Sequence, residues 1–100
     1  MIPKKIKLAS SNKNIQISYE NDVFLIITSP ILRANSPSAE NKNNILNPNV
    51  KLHENVLIKK LAKVGNYAVK VEFSDGHNTG IYTWDYLYKI GQKFKNFSNP

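Results

Sequence analysis

The residues of this 100-residue chain best able to do chemistry are two histidines, seven carboxylates and a single arginine. Asp75 and His77 stand two apart in the run Phe73-Ser74-Asp75-Gly76-His77. Together with His53 they form a two-histidine, one-carboxylate set, which suits iron(II), with zinc the other candidate metal. The plainer reading is that a hairpin turn carries polar side chains without any ligand. Arg33 is the only arginine beside 13 lysines. A guanidinium fork is preferred where a carboxylate or phosphate must be gripped, so Arg33 either binds an anion or clamps its own helix to an internal acid or carbonyl group. Ser36 and Ser38 flank Pro37 and either accept anions or phosphoryl groups or simply shape a turn. Tyr82 and Tyr86, with a polar tip on an aromatic body, are candidates for a partner-binding surface, whereas the helical spacing of Trp84 and Tyr88 directs those two towards a core.

Catalytic motifs do not accompany these residues. A serine and a histidine are present, yet no nucleophile-elbow glycine pattern surrounds any serine. Four glycines occur in the whole chain, none with phosphate-loop or dinucleotide spacing. The absence of cysteine removes thiol nucleophiles, disulfides and thiolate ligands for zinc or iron–sulfur clusters. The expectation is a protein that binds and does not catalyse.

The elements that must position these side chains can be read from periodicity. Ile15, Ile17 and Tyr19 alternate with polar residues as in a half-buried strand, Glu20-Asn21-Asp22 makes a turn, and the continuously apolar Val23–Ile27 returns as a strand covered on both faces. Ser29 before Pro30 reads as the cap of a short helix through Ile31, Leu32 and Arg33. From residue 35 to 55 the chain is polar, asparagine-rich and aperiodic, a long loop with only Ile45 and Leu46 as anchors. Val56-Leu57-Ile58 begins the next strand, Val69, Val71 and Phe73 share one face of another, and Asp75-Gly76 is a hairpin turn signal. The strand Thr79–Tyr82 leads to a helix capped by Thr83, with Asp85 at its start, Lys89 at its end and Gly91 as its stop.

Strand, turn, strand and capped helix thus occur twice. At a constant offset of 54 residues, Ile15 matches Val69, Ile17 matches Val71, Tyr19 matches Phe73, Ile27 matches Ile81 and Ser29 matches Thr83. The pattern predicts an α+β domain: an antiparallel sheet built from two hairpins, with two short helices packed on one side. Residues 1–91 make this single domain, and 92–100 form a basic, disordered tail.

A chain of this length supports one core and little more. No apolar run is long enough to span a membrane, and the basic start leads into alternating polar sequence instead of a signal-peptide apolar stretch, so the expected compartment is the cytoplasm. The formal charge of +7 admits nucleic acid or acidic partners. The lysines are scattered, without a helix-long basic stripe, so nucleic-acid binding is at most weak.

The string Tyr67-Ala68-Val69 through Phe73-Ser74-Asp75-Gly76-His77, continuing Gly80-Ile81-Tyr82-Thr83-Trp84-Asp85-Tyr86-Leu87, strongly resembles the γ-butyrobetaine hydroxylase-like N-terminal domain family. Leu32-Arg33 followed by Ser36-Pro37-Ser38-Ala39-Glu40 is similar to the family's other signature. Small stand-alone bacterial members are classed as a domain of unknown function. In the hydroxylases the domain precedes a separate iron- and 2-oxoglutarate-dependent catalytic domain, for which this chain has no room. The domain also occurs fused behind P-loop iron–sulfur carrier ATPases, so the resemblance implies an accessory role in iron or iron–sulfur cluster handling through such a partner. The hydroxylase domain binds zinc through three cysteines and one histidine. The cysteine positions correspond here to Ser36, Ser38 and Asn41, which leaves His77 as the remaining ligand of that set. A glycine-rich stretch that follows the second signature in many bacterial members is missing.

Overall fold

The computed structural model describes residues 2–37 and 50–95. Two antiparallel sheets of three strands, each followed by a helix, build the α+β fold. The first sheet consists of β1 (Lys5–Leu8), β2 (Asn14–Ser18) and β3 (Phe24–Thr28), in that order, and leads into α1 (Ser29–Ala34). After a 3₁₀ turn at Val50–His53 comes the second sheet, of β4 (Ile58–Val64), β5 (Ala68–Phe73) and β6 (Gly80–Thr83), and then α2 (Trp84–Lys93). The two expected hairpins, β2–β3 and β5–β6, belong to two separate sheets, each hairpin with its first strand central and its second at an edge. β1, a short strand with a weak apolar alternation, adds to the first.

Period-2 patterning decides which faces are buried. Ile15, Ile17, Leu25 and Ile27 point inward from the first sheet, Val69, Val71, Phe73 and Tyr82 from the second, and all eight are buried. The continuous apolar run of β3 is not covered on both faces: Leu25 and Ile27 are buried, but Phe24 remains 53% and Ile26 39% exposed. No helix lies over that outer face among the described residues, so the strand alternates like any half-buried one despite its composition.

The two halves repeat more closely in structure than in the residue matches above. Ile15 pairs with Ile27 and Ile17 with Leu25, while Val69 pairs with Tyr82 and Val71 with Gly80. The offset is therefore 54 in the first strand and 55 in the return strand, because the second turn is one residue longer. Buried Ile27 corresponds to buried Tyr82, and Ile81, its match at the constant offset, is 41% exposed. The caps correspond in the same way. Thr28, not Ser29, precedes α1 and makes no side-chain cap bond, with Pro30 in the first turn. Thr83 precedes α2 and accepts from the Tyr86 N–H at 3.2 Å. Ser29 turns inward and donates to the carbonyl of Val56.

Turn chemistry follows the sequence where positive φ is needed. Gly76 has φ +92° in the β5–β6 turn and Gly65 φ +53° in the β4–β5 turn, both conformations that side-chain-bearing residues adopt at a cost. Gly91 plays a different part from the expected helix stop. The helix continues through it to Lys93, and Phe94 beyond is only 2% exposed and belongs to the core. The residue is small because α2 crosses β3 there: a Cβ on Gly91 would lie 2.6 Å from Leu25 Cδ1. Gly91→Ala therefore sets a gain of about 1 kcal/mol in helix propensity against an overpacking cost of about 1–3 kcal/mol. We expect a net loss of about 1 kcal/mol, measured by urea unfolding. A gain equal to the full propensity term would show that α2 is not pinned on Leu25.

Candidate functional site

The C-terminal end of α1 and the β5–β6 turn meet, although 42 residues separate their contacts. Arg33 Nε donates to Asp75 Oδ2 at 2.8 Å, and the backbone N–H of His77 donates to Asp75 Oδ1 at 3.1 Å. Both carboxylate oxygens are thus engaged. The side chains of Arg33 and Asp75 are 19% and 32% exposed, a partly sheltered ion pair at the surface. Arg33 is in this respect the clamp of a helix on an internal acid, one of the two roles its uniqueness suggested.

Beneath the ion pair, Ser36 Oγ lies 2.7 Å from His77 Nε2. Ser36 is fully buried, at the point where α1 has ended and its last carbonyls need donors. Tyr82 supplies one of them: its hydroxyl donates to the Leu32 carbonyl, and a hydrogen bond also joins the hydroxyls of Ser36 and Tyr82. The Ser36 hydroxyl is thus joined by hydrogen bonds to both Tyr82 and His77 Nε2. Gly80 completes the packing, since a Cβ there would stand 2.8 Å from Ser36 Oγ.

Electrostatics follow from this geometry. Burial pushes the Asp75 carboxyl up, but the His77 N–H and the Arg33 guanidinium outweigh it and hold the group below the usual carboxylate range. Burial and the Arg33 charge lower His77, against the opposing pull of Asp75, and His53 lowers it further. Burial and Arg33 likewise lower His53, again opposed by Asp75. The 3₁₀ turn carrying His53 packs against α1, which brings this third member of the predicted set within electrostatic reach of the other two. No group of three His, Cys, Asp or Glu side chains disposed to hold a metal occurs among the described residues.

The two aromatic surface candidates are placed differently from the sequence reading. Tyr82 is fully buried, with 0% exposure, because it lies on the inward register of β6 opposite Val69. Tyr86 is half-buried, its ring stacked near Tyr82 with centroids 6.2 Å apart and its hydroxyl donating to the Asn35 carbonyl at 2.7 Å. Trp84 is partly buried against the core and donates Nε1–H to the Asn66 carbonyl at 2.7 Å. Ser38 lies outside the described residues, as do Asn41, Ile45 and Leu46. Asn35 and Gly80 were missed. The first, fully buried, donates Nδ2–H to the Ile31 carbonyl at 3.0 Å. Its position just past a short helix, where asparagine is a known terminator, was the available signal.

The segments brought together by Arg33 and Asp75 are the two that carried the family resemblance. The family described as gamma-butyrobetaine hydroxylase-like, N-terminal, matches residues 6–88. The chain belongs to this family. Among solved structures, this hydroxylase-like N-terminal domain is similar to a protein of unknown function from Acidithiobacillus ferrooxidans, of the DUF971 family, at 31% identity and a TM-score of 0.72, over 89% of this chain and 91% of that one. It is also similar to two proteins solved by NMR in solution. One is 35% identical with a TM-score of 0.71, covering 96% and 77% of the two chains. The other is 34% identical with a TM-score of 0.75, covering 98% and 75%. No curated protein matches the chain. Among the described residues of this family member, no helix is long and apolar enough to cross a membrane.

Proposed function

We infer that the protein is a non-catalytic binding module that serves iron or iron–sulfur cluster handling through a protein partner, with a P-loop iron–sulfur carrier the partner suggested by the family. The observation that carries this reading is the mutual engagement of the polar groups around Arg33. They bond to one another across two halves of the fold, fix one surface, and leave Ser36 buried. A preorganised polar face of this kind favours recognition, because little ordering is left for the moment of binding. The chain has no cysteine, so any cluster belongs to the partner and the role here is contact.

A second reading has a specific observation in its favour: Asp75, His77 and His53 sense each other's charge. A single iron or zinc ion would then be held by His77, with Asp75 released from Arg33 and His53 closing in. One experiment addresses both. The tagged protein, captured from its native cell extract, is analysed by mass spectrometry, and iron and zinc are measured in the same eluate, with His77→Ala alongside. Recovery of a cluster-assembly ATPase with metal-free protein supports the binding module. Stoichiometric metal that vanishes in His77→Ala supports the metal site instead. An eluate without any cluster-assembly protein counts against the partner reading.

A further inference from the structure

A concavity that shares no residue with the Arg33 site opens where β1 and the residues before it face β4 and the start of α2. It encloses about 500 Å³, within the range of roughly 300–1,000 Å³ usual for small-molecule sites. Ile6, Leu61, Val69 and Trp84 provide an apolar wall, while Lys4, Lys5 and Lys63 line it without any accompanying carboxylate. Lys63 is the informative residue. It pairs with inward-facing Val69, as Leu8 in the first half pairs with inward-facing Ile15. The second half therefore carries a lysine at a register position that the first half fills with leucine. Lys63 is exposed, as are Lys4 and Lys5, so its ammonium group reaches water beside the apolar wall and is open to an anion.

We propose that this groove binds a small amphipathic carboxylate, its acyl or arylalkyl chain against the apolar wall and its carboxylate among the three lysines. Charge complementarity selects the head group. The lining holds three ammonium groups and no acid, in a chain of net charge +7. The apolar wall selects the body, because a bare inorganic anion would leave it uncovered. The site is independent of the reading given for the Arg33 face and stands or falls separately.

Trp84, the only tryptophan of the chain, lines the groove and is anchored through its indole N–H, so its emission reports occupancy directly. Titration of the full-length protein with decanoate below its micellar range is expected to change Trp84 fluorescence saturably. Decanol and decyltrimethylammonium should bind about tenfold more weakly or worse, a difference of about 1.4 kcal/mol, and acetate should give no response. Lys63→Gln is expected to weaken decanoate about fivefold or more with an unchanged thermal midpoint, and the triple variant Lys4→Gln, Lys5→Gln, Lys63→Gln to abolish the response. Equal affinities for decanoate and decanol, a non-saturating drift, or full affinity in the triple variant would each overturn the proposal.

Discussion

Tyr82→Ala is expected to cost about 3–5 kcal/mol of folding stability, the range for truncating a fully buried aromatic side chain. For a domain whose total is of the order of 5–15 kcal/mol, this removes a substantial share of the stability. Tyr82→Phe separates the two contributions of the residue. It keeps the ring among the core side chains and deletes only the hydroxyl, stranding the Leu32 carbonyl and one end of the Ser36 hydrogen bond. A loss of about 1–3 kcal/mol is expected for such a buried, newly unpaired group. Urea unfolding at neutral pH gives both values. If Tyr82→Phe proves neutral, the hydroxyl chain from Leu32 through Tyr82 and Ser36 to His77 is not a supporting structure.

Acidification is expected to weaken the fold in two separate stages, set by burial and the His77 N–H together with Arg33. His53 and His77 have native pKa values below the ordinary histidine value of 6.5. For a base whose native pKa is lowered, the unfolded chain takes up the proton first. Full stability is present above pH 6.5 and is lost as the pH falls from there towards the native values. Asp75 has a native pKa below 3.8, so its contribution is present above that value and is lost as the pH falls through the lowered native one. Arg33→Ala removes a charge that opposes protonation of both imidazoles and favours the carboxylate. In that variant all three groups are expected to titrate at higher pH, the histidine stage to shrink and the Asp75 stage to narrow, while neutral-pH stability changes by about 1 kcal/mol or less, as for other partly exposed ion pairs. Histidine titration followed by NMR, with thermal midpoints from pH 3 to 8, tests this. Unchanged histidine titrations in Arg33→Ala would mean that the guanidinium does not reach the imidazoles in solution.

Strand alternation and turn chemistry made most of the fold legible before any coordinates. Val69, Val71 and Phe73 are inward as read, the Asp75-Gly76 turn is present, and Thr83 caps α2. The errors have a common cause, which is that local pattern does not state what lies on the far side of an element. The run Val23–Ile27 looked doubly covered because composition alone cannot show that one sheet face lacks a layer. Gly91 looked like a stop because its smallness serves a crossing with Leu25, 66 positions earlier in the chain. Tyr82 looked available because a single extra residue in a turn moved the whole return strand by one register, and a one-residue shift exchanges the two faces. In the site, the uniqueness of Arg33 and the Asp75–His77 pair were visible as composition. Their convergence with Ser36 depends on contacts across 41 and 42 residues, to which no local spacing is sensitive.

The helices tie the two halves of the fold together. α1 leaves the first sheet and is secured by Tyr82 and Asp75 of the second half, while α2 leaves the second sheet and lies on Leu25 of the first, with Tyr88 edge-on to Tyr19 at 5.4 Å between centroids. Domain-swapped dimers share an element between identical subunits. Here the sharing is written into one polypeptide, with each helix touching the last strand of its own half as well. Each half relies on contacts with the other to anchor its helix, so the two are expected to unfold as one cooperative unit.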